Sequence, residues 1–581
     1  MITNYLRKNK KKAYHYGYRP DEIKQTENFN SADITFCMCS IAPQNLLQFS
    51  LGSDIIFNIA RKRKDVFADM AVLLDKKIFN LTNKSPITAL YSCEQVRDFD
   101  IIGLSSYYVG SYFNIVPFLM MCGIEPFALK RNCKNLIIAG GGAVSSNPEP
   151  IASFFDVIII GDGETPINIL FDIKVKYKEK SNTALLKIIR DSHSSFYIPS
   201  LKKTTSIVFN TEKNIDDYIL GADDYVSKPN NKTIEITRGC FYKCRFCSLG
   251  QMRKKAISAG TEVIIKKIQS YPEGTTIYPF APDESSYSHY GKIIENLGNR
   301  KLFRYNQRFD SYLKYGRYSQ SDYRVVFGLD GISQRIRDIV KKKITLDEIY
   351  NSIEHVFKNF EIMKLNIVIA YPFEKNEDWQ EFDNFLDSIC RMRLELIPDK
   401  CLTNEENILI RNTYYEAKIH NQKLVMKNMG IDKKLFMIHL APTPFQPEPH
   451  TPMQWESMGN IELACSKIKL LQKKYIKKYG MIKIEGLNSP QNIKINYILK
   501  RGDRNIADVL YALASAGIYN SSGINPEIFS HLNMQLKKHQ IDPSQFYKQI
   551  PFSSNLVWDF IKTGLENYYK SEYIQMSKGI K

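Results

Sequence analysis

Short uninterrupted apolar runs alternate with amphipathic stretches from about residue 31 to residue 200. ADITFCMCS (32–40), DFDIIGLSSYYVG (98–110), NLIIAGGG (135–142) and FDVIIIGDGE (155–164) are such runs, rich in strand-forming residues and leading into Ser or Gly. A strand that meets water on one face alternates apolar and polar residues. One covered on both faces does not, so these runs predict a parallel sheet with helices on either side. The expected fold class is α/β, opening with a doubly wound Rossmann-like domain over 31–200 whose ligands sit at the carboxyl ends of its strands.

A second alternation runs from about 233 to 455. TIEITRG (233–239), TTIYPFAP (275–282), RVVFGLDG (324–331), LNIVIAYP (365–372) and LFMIHLAP (435–442) are its candidate strands, separated by helical stretches. Repeated βα units predict a full or partial (β/α) TIM-type barrel. Residues 201–232, with Asp216, Asp217, Asp223, Asp224 and a Lys-Pro-Asn-Asn-Lys turn, read as a linker. Residues 456–581 read as a helical carboxyl-terminal region. Within it KIKLLQKKYIKKYG (467–480) is amphipathic and basic, and ADVLYALASAG (507–517) ends on a glycine cap. Residues 1–30 carry Arg7, Lys8, Lys10, Lys11, Lys12 and Arg19 among Tyr14, Tyr16 and Tyr18, and predict a basic arm with little core of its own.

At 581 residues the chain is too long for one core. No apolar run approaches the roughly 18 residues that span a bilayer, and no apolar segment follows the basic start. Neither a membrane span nor a secretory signal is expected, and the cytoplasm is the expected compartment. The formal net charge of +19 favours a polyanionic partner, a nucleic acid above all. Lys-, Asn- and Ile-rich composition gives the same balance without any partner, so charge alone leaves both readings open.

The 11 cysteines do not make a disulfide framework in a chain of this size. Cys37, Cys39, Cys93, Cys122, Cys133, Cys390, Cys401 and Cys465 are scattered and read as small buried hydrophobes. Cys240, Cys244 and Cys247 instead sit together in TRGCFYKCRFCSLG (237–250), directly after the first barrel strand. Cys-x3-Cys-x2-Cys spacing lets one loop grip three corners of an iron–sulfur cube, with no local ligand for the fourth iron. A missing ligand marks an open metal site. Zinc is the alternative, but it needs a fourth ligand, and the nearest downstream histidine is His289.

That spacing, with the aromatic Phe246 just before the third cysteine, resembles the signature of the radical S-adenosylmethionine (SAM) superfamily. The resemblance implies a [4Fe–4S] cluster on Cys240, Cys244 and Cys247, with SAM chelated at the open iron. It implies reductive cleavage of SAM to methionine and a 5′-deoxyadenosyl radical, and a one-electron donor such as flavodoxin or ferredoxin as partner. Later segments continue the resemblance and supply candidate SAM-binding residues. Asp283, Glu284 and Ser285 stand where the family has a Gly-Gly-Glu-like segment; NQRFDS (306–311) adds Arg308 and Asp310; GLDGISQRIRDIVKKKIT (328–345) adds Asp330 and Arg337. AYPFEKNEDWQEF (370–382) resembles the fifth-strand segment, with Ala370 in place of the usual Gly and Glu374 as a candidate helix cap.

AGGGAVSSNPEPIASFFDVIIIGDGE (139–164), ahead of such a barrel, resembles the cobalamin-binding domain of one subgroup of these proteins. Gly140, Gly141, Gly142, Gly161, Gly163 and Glu164 become candidate cobalamin contacts. The Asp-x-His-x-x-Gly motif that supplies a lower cobalt ligand is missing, since only His15 and His193 lie nearby. TPFQPEPHTPMQW (443–455) and LKRGDRNIADVLYALASAG (499–517) resemble further blocks of this subgroup, and make His450 and Trp455 candidates for the substrate mouth.

The expected function is hydrogen abstraction from a substrate, with a nucleic acid or nucleotide-like anion as the expected substrate class. Cobalamin-dependent methyl transfer is the alternative. Methylthio transfer would need a second cluster, for which Cys37, Cys93 and Cys133 are available without that family's motif. A non-catalytic nucleic-acid-binding protein with a structural cluster would draw on the basic arm and on Tyr475 and Tyr479 among the lysines of 467–480.

Overall fold

The computed structural model describes residues 29–580 except 43–50, 75–78, 81–83, 133, 202–205, 222–230, 304–305, 317–323, 361, 397–437, 480–481, 488–489 and 521–525. Nearly all of the basic arm, with Cys133 and Cys401, lies outside the described residues.

The amino-terminal sheet is built from β1 (Ile34–Ser40), β2 (Val66–Val72), β3 (Ile101–Ser105), β4 (Leu136–Gly140), β5 (Val157–Ile159) and β6 (Phe196–Tyr197). Their order is β2-β1-β3-β4-β5-β6, parallel except for the last pair. β1 is buried at every position, as its unbroken apolar run requires. β2 is equally buried but carries Asp69, which hides it in the sequence. The Asp69 carboxylate accepts the backbone N–H groups of Met70, Tyr91 and Ser92, so the charge is satisfied without leaving the strand.

Chain order reverses between β1 and β3, which makes their carboxyl ends a switch point where a crevice opens. Helices α1 (Leu51–Lys62), α2 (Tyr112–Met121), α3 (Gly142–Ser146), α4 (Glu164–Lys176) and α5 (Asn182–Ser192) connect and cover the sheet.

The second domain is a partial barrel of parallel strands. β7 (Asn231–Glu235), β8 (Thr276–Phe280) and β9 (Lys301–Leu302) pair in the order β9-β8-β7. β10 (Arg324–Gly328), β11 (Ile362–Ile369), β12 (Ile438–Pro444) and β13 (Ile482–Ile484) pair consecutively. A parallel bridge between Gln307 and Phe327 joins the two halves. Between them run α6 (Gln334–Ile339), α7 (Leu346–Asn359) and α8 (Asn376–Leu396). α7 starts on a reciprocal capping box, Thr345 with Glu348. The expected boundary at 455 falls short of the sheet's end, because helix α9 (Ile461–Lys478) leads into β13.

The carboxyl-terminal helices clamp both domains. α10 (Pro490–Arg501), α11 (Ile506–Ser515) and α12 (Pro526–Lys538) place Ile498, Leu499, Ile506, Leu510 and Leu532 in the core of the amino-terminal sheet. The last helix, α13 (Glu566–Ile580), adds Tyr569, Tyr573 and Met576 to the barrel core. The expected linker takes part too, since Ile207–Val208 pairs with Ile561–Lys562.

The basic stretch expected to face a nucleic acid is used differently. On α9, Tyr475 hydrogen-bonds Asp383 and Tyr479 hydrogen-bonds Asp387 on α8. Lys474 and Lys478 form ion pairs with the same two aspartates. The tyrosines are helix-packing residues, not stacking platforms. Among the described residues, no helix is long and apolar enough to cross a membrane.

Candidate active site

The loop that follows β7 carries Cys240, Cys244 and Cys247. Its base is closed by antiparallel pairing of Thr237–Arg238 with Ile257–Ser258. Inside it Lys243 Nζ donates to the carbonyls of Gly250 and Arg253 at 2.6 and 2.7 Å, and Gln251 Nε2 donates to those of Lys243 and Cys244 at 3.1 Å. The three thiols lie within electrostatic reach of one another. Burial, with the neighbouring thiols adding to it, pushes Cys247 up to about 12, and burial likewise pushes Cys240 up to about 11. Three thiolates gathered in so dry a place need a positive centre, which iron supplies. The donor set therefore fits a three-cysteine cluster. Among the described residues, no three His, Cys, Asp or Glu side chains, these cysteines included, are already grouped around a single point.

Most of the expected SAM residues ring this loop. Arg308 makes a two-pronged ion pair with Asp310 at 2.9 and 3.0 Å, lies 3.6 Å over the Tyr242 ring, and brings Nη1 to 4.0 Å from Cys244 Sγ. Asp283 accepts from the Arg308 backbone N–H at 3.1 Å and from Ser311 Oγ at 2.8 Å. Burial pushes its carboxyl up to about 6. Glu284 and Ser285 turn inward. Glu284 accepts from the Asn306 N–H, Gln307 Nε2 and Tyr290 Oη, and Ser285 Oγ donates to Gln307 Oε1. They tie the second strand's loop to the third.

Asp330, at φ +53°, pairs with the buried Lys342 at 2.5 Å. Arg337 stands farther off, donating to Gly331 O at 3.2 Å and Gln334 Oε1 at 3.1 Å. Tyr371 Oη donates to Asp330 O at 3.2 Å, while Glu374 accepts from the Tyr371 N–H and caps its own turn. Ala370 adopts φ +60°. Gly459 lies so close that a Cβ there would stand 1.8 Å from the Ala370 carbonyl oxygen.

A cavity of about 840 Å³ separates the amino-terminal sheet from the barrel mouth. Gly140, Gly141, Gly142, Gly161, Gly163 and Glu164 all line it. Across from them stand Arg238, Gly239, Leu249 and Arg253 of the cysteine loop. Gly141 has φ +117° and a Cβ there would lie 2.4 Å from Ser106 O; Gly161 has φ +96° and its Cβ would lie 2.2 Å from Asn210 O. Only glycine suits such approaches. At Gly140 a Cβ would meet nothing within 4 Å. A wide cradle at strand ends, lined largely by glycine and apolar residues, fits a large flat ligand. His193 is not in its wall; its Nδ1 is 2.8 Å from Ser195 Oγ.

His450 and Trp455 lie at the junction between domains and do not line the cavity. His450 Nε2 is 3.0 Å from the Ser146 carbonyl oxygen, which makes that nitrogen the protonated one. Burial lowers its pKa to about 4. Trp455 packs against Phe552 and Tyr573. The remaining sequence blocks dock on one another: Asn147 Nδ2 donates to Lys500 O and Gly502 O at 2.9 Å, and Arg504 pairs with Glu149 at 3.2 Å. Arg501 donates to carbonyls of Gln454, Glu456, Phe546 and Lys548.

Residues not singled out from the sequence complete the site. Lys342 stands in a run of three lysines in which nothing marks the middle one as buried. Tyr242, Arg238 and Arg253 flank the cysteines, and the charges around them were the available signal. Cys37 is buried beside Cys39 in β1, while Cys93 is exposed.

Two family models match the chain. Radical SAM proteins, N-terminal, covers residues 52–199, and Radical SAM superfamily covers residues 234–386. An uncharacterised protein of Methanocaldococcus jannaschii is 23% identical over 444 residues, covering 72% of this chain and 82% of that protein. Among solved structures, the cobalamin-dependent SAM radical enzyme OxsB with aqua-cobalamin and SAM bound aligns with a TM-score of 0.48 and 14% identity, over 99% of this chain and 85% of that one. The radical SAM methyltransferase TsrM from Kitasatospora setae, with cobalamin and a [4Fe–4S] cluster, aligns with a TM-score of 0.44 and 10% identity, over 94% of this chain and 99% of that one. With superfamily models matched on both the glycine-rich domain and the barrel that carries the three cysteines, the chain belongs to the radical SAM superfamily and is an enzyme of that class.

Proposed function

We propose that the enzyme cleaves SAM reductively at the cluster on Cys240, Cys244 and Cys247 to abstract hydrogen from a substrate, with a corrinoid held in the cavity between the domains. The observation that carries this reading is the cavity itself. One wall is the glycine-rich strand ends of a doubly wound sheet, and the other is the cysteine loop. A ligand in it would meet both.

Cys240, Cys244 and Cys247 would hold the cluster, and Arg308, Asp310, Asp283 and Asp330 would surround SAM beside it. The cluster with SAM supplies one-electron chemistry, and a corrinoid adds a carrier for a methyl group. This chain's part is to seat the ligands and keep water out. The backbone of Gly140 to Gly142 allows a flat ring to lie close, and the apolar residues Phe36, Met38 and Leu104 line the same cavity. No histidine lines the cavity among the described residues, so cobalt would take no imidazole from them.

Methyl transfer is the second reading, favoured by the same cavity, because a corrinoid there would lie next to the cluster loop. Anaerobic reconstitution with iron, sulfide and hydroxocobalamin tests both. Corrin absorbance should co-elute with the protein, and reduction in the presence of SAM should yield 5′-deoxyadenosine. Loss of that product on replacing Cys240, Cys244 or Cys247 by Ala is expected. A product that forms without corrin absorbance would leave hydrogen abstraction and remove both the corrinoid and methyl transfer. No 5′-deoxyadenosine from the intact protein would overturn the whole reading.

A further inference from the structure

The cysteine loop begins and ends on an arginine, and both arginines meet one carboxylate of the other domain. Arg238 comes two residues before Cys240, and Arg253 six residues after Cys247. Arg253 Nη2 is hydrogen-bonded to Asp162 Oδ1, and Arg238 Nη1 lies 3.5 Å from the same oxygen. Arg238 also pairs with Glu164 at 2.6 Å and with Glu235 at 2.7 Å. The other Asp162 oxygen accepts from the Glu212 N–H at 2.8 Å, and Asn210 Nδ2 donates to the Asp162 carbonyl at 2.8 Å. The carboxylate is therefore fixed on its own domain before it reaches the loop. Asp162 and Arg253 are about nine-tenths buried.

The loop's two ends also touch each other there. Gly239 adopts φ +76°, and a Cβ on it would lie 2.9 Å from Arg253 Cδ. The Arg253 side chain thus crosses the loop's entrance on its way to Asp162. Asp162 is the carboxylate that pairs with the Arg253 guanidinium, so removing its charge would strand a buried cation.

We propose that Asp162 is a positioning residue for the iron–sulfur cluster: by pairing with Arg238 and Arg253 it pins both ends of the cysteine loop to the glycine-rich domain and sets the register of the three thiols against the cavity. The proposal rests on the loop holding a cluster, as the superfamily does, and not on a corrinoid. It explains why an aspartate stands between Gly161 and Gly163, in a turn whose glycines already provide the close approach.

The test uses the full chain with no corrinoid added. In the metal-free protein, Asp162→Asn should speed hydrogen–deuterium exchange across 239–252 about tenfold while leaving β1 and β4 protected. After reconstitution, the electron paramagnetic resonance spectrum of the reduced cluster, and its change on adding SAM, should differ from wild type. Asp162→Glu should restore the spectrum in part. Arg253→Lys keeps the charge and the fold but loses the fork, and should give the same loosening if Asp162→Asn proves unstable. Wild-type exchange and wild-type spectra in both Asp162→Asn and Arg253→Lys would overturn the proposal. Failure of corrinoid binding would not touch it.

Discussion

Glu572, in the last helix of the chain, accepts a hydrogen bond at 2.8 Å from Arg245 Nε in the middle of the cysteine loop. Its other oxygen accepts from Lys341 Nζ at 2.5 Å, just after α6. Three sequence-distant segments meet on one carboxylate. α13 thus becomes part of the cysteine loop's support, helped by Tyr569 Oη, which donates to Gln251 O at 2.8 Å.

Replacing Glu572 by Ala should lower stability by about 3 kcal/mol, because it strands the charge of Arg245 in a largely buried place. Denaturant unfolding of the metal-free chain measures this. Burial raises the Glu572 carboxyl, but Lys341 and Arg245 outweigh it, so the net shift is downward. Its contribution is therefore complete above the unfolded glutamate value and is lost as pH falls through the lower folded value. An Ala variant as stable as wild type near neutral pH would refute the role.

Much of this architecture is legible in sequence. The runs ending at Ser40, Ser105 and Gly140 are strands because no charge interrupts them, and the three cysteines announce their loop by spacing alone. β2 is not legible, because Asp69 breaks the run and its three backbone partners lie up to 23 residues away. The roles of His450, Arg501 and Arg504 are hidden for a related reason. Charged and aromatic residues in a motif look the same in sequence whether they face a ligand or another motif. Here Asn147 and Glu149 are what the arginine block faces, some 355 residues distant.

The cavity's glycines separate into two kinds, with opposite expected outcomes. Gly141→Ala places a Cβ 2.4 Å from Ser106 O at a positive φ and should destabilise the domain by more than about 1 kcal/mol. Gly140→Leu projects into open space, so the fold should survive. Its side chain would occupy the cradle, and corrinoid affinity should fall at least about tenfold, the equivalent of roughly 1.4 kcal/mol. Calorimetry and corrin absorbance read the two effects separately. Unchanged corrinoid binding in Gly140→Leu would place the ligand elsewhere.

His450 gives the domain junction a pH dependence. Burial holds its pKa near 4, against an ordinary value of 6.5, although the Ser146 carbonyl and Glu566 both pull it upward. Since the folded value is the lower one, the unfolded chain takes up a proton first as pH falls. The His450 contribution should be constant above about pH 6.5 and should fall between 6.5 and 4, by about 3 kcal/mol in all. His450 sits at φ +57°, where Asn is tolerated. His450→Asn should flatten that segment of the stability curve, and a curve with the wild-type slope would assign the proton to another group.

Arg308 brings a cation to the cysteine loop, with Nη1 4.0 Å from Cys244 Sγ. A positive charge there favours the reduced, more negative cluster, so it should raise the reduction potential. The charge is held in place by Asp310 on one side and by the Tyr242 ring on the other. Arg308→Met keeps the length and the stacking surface but removes the charge. The potential of the reconstituted cluster should then shift downward, on the order of tens of millivolts. Arg308→Lys should fall between, since lysine keeps the charge but has no fork for Asp310. A redox titration followed by electron paramagnetic resonance measures all three. Loss of SAM cleavage at an unchanged potential would show that Arg308 acts on SAM, and an upward shift would exclude the electrostatic role.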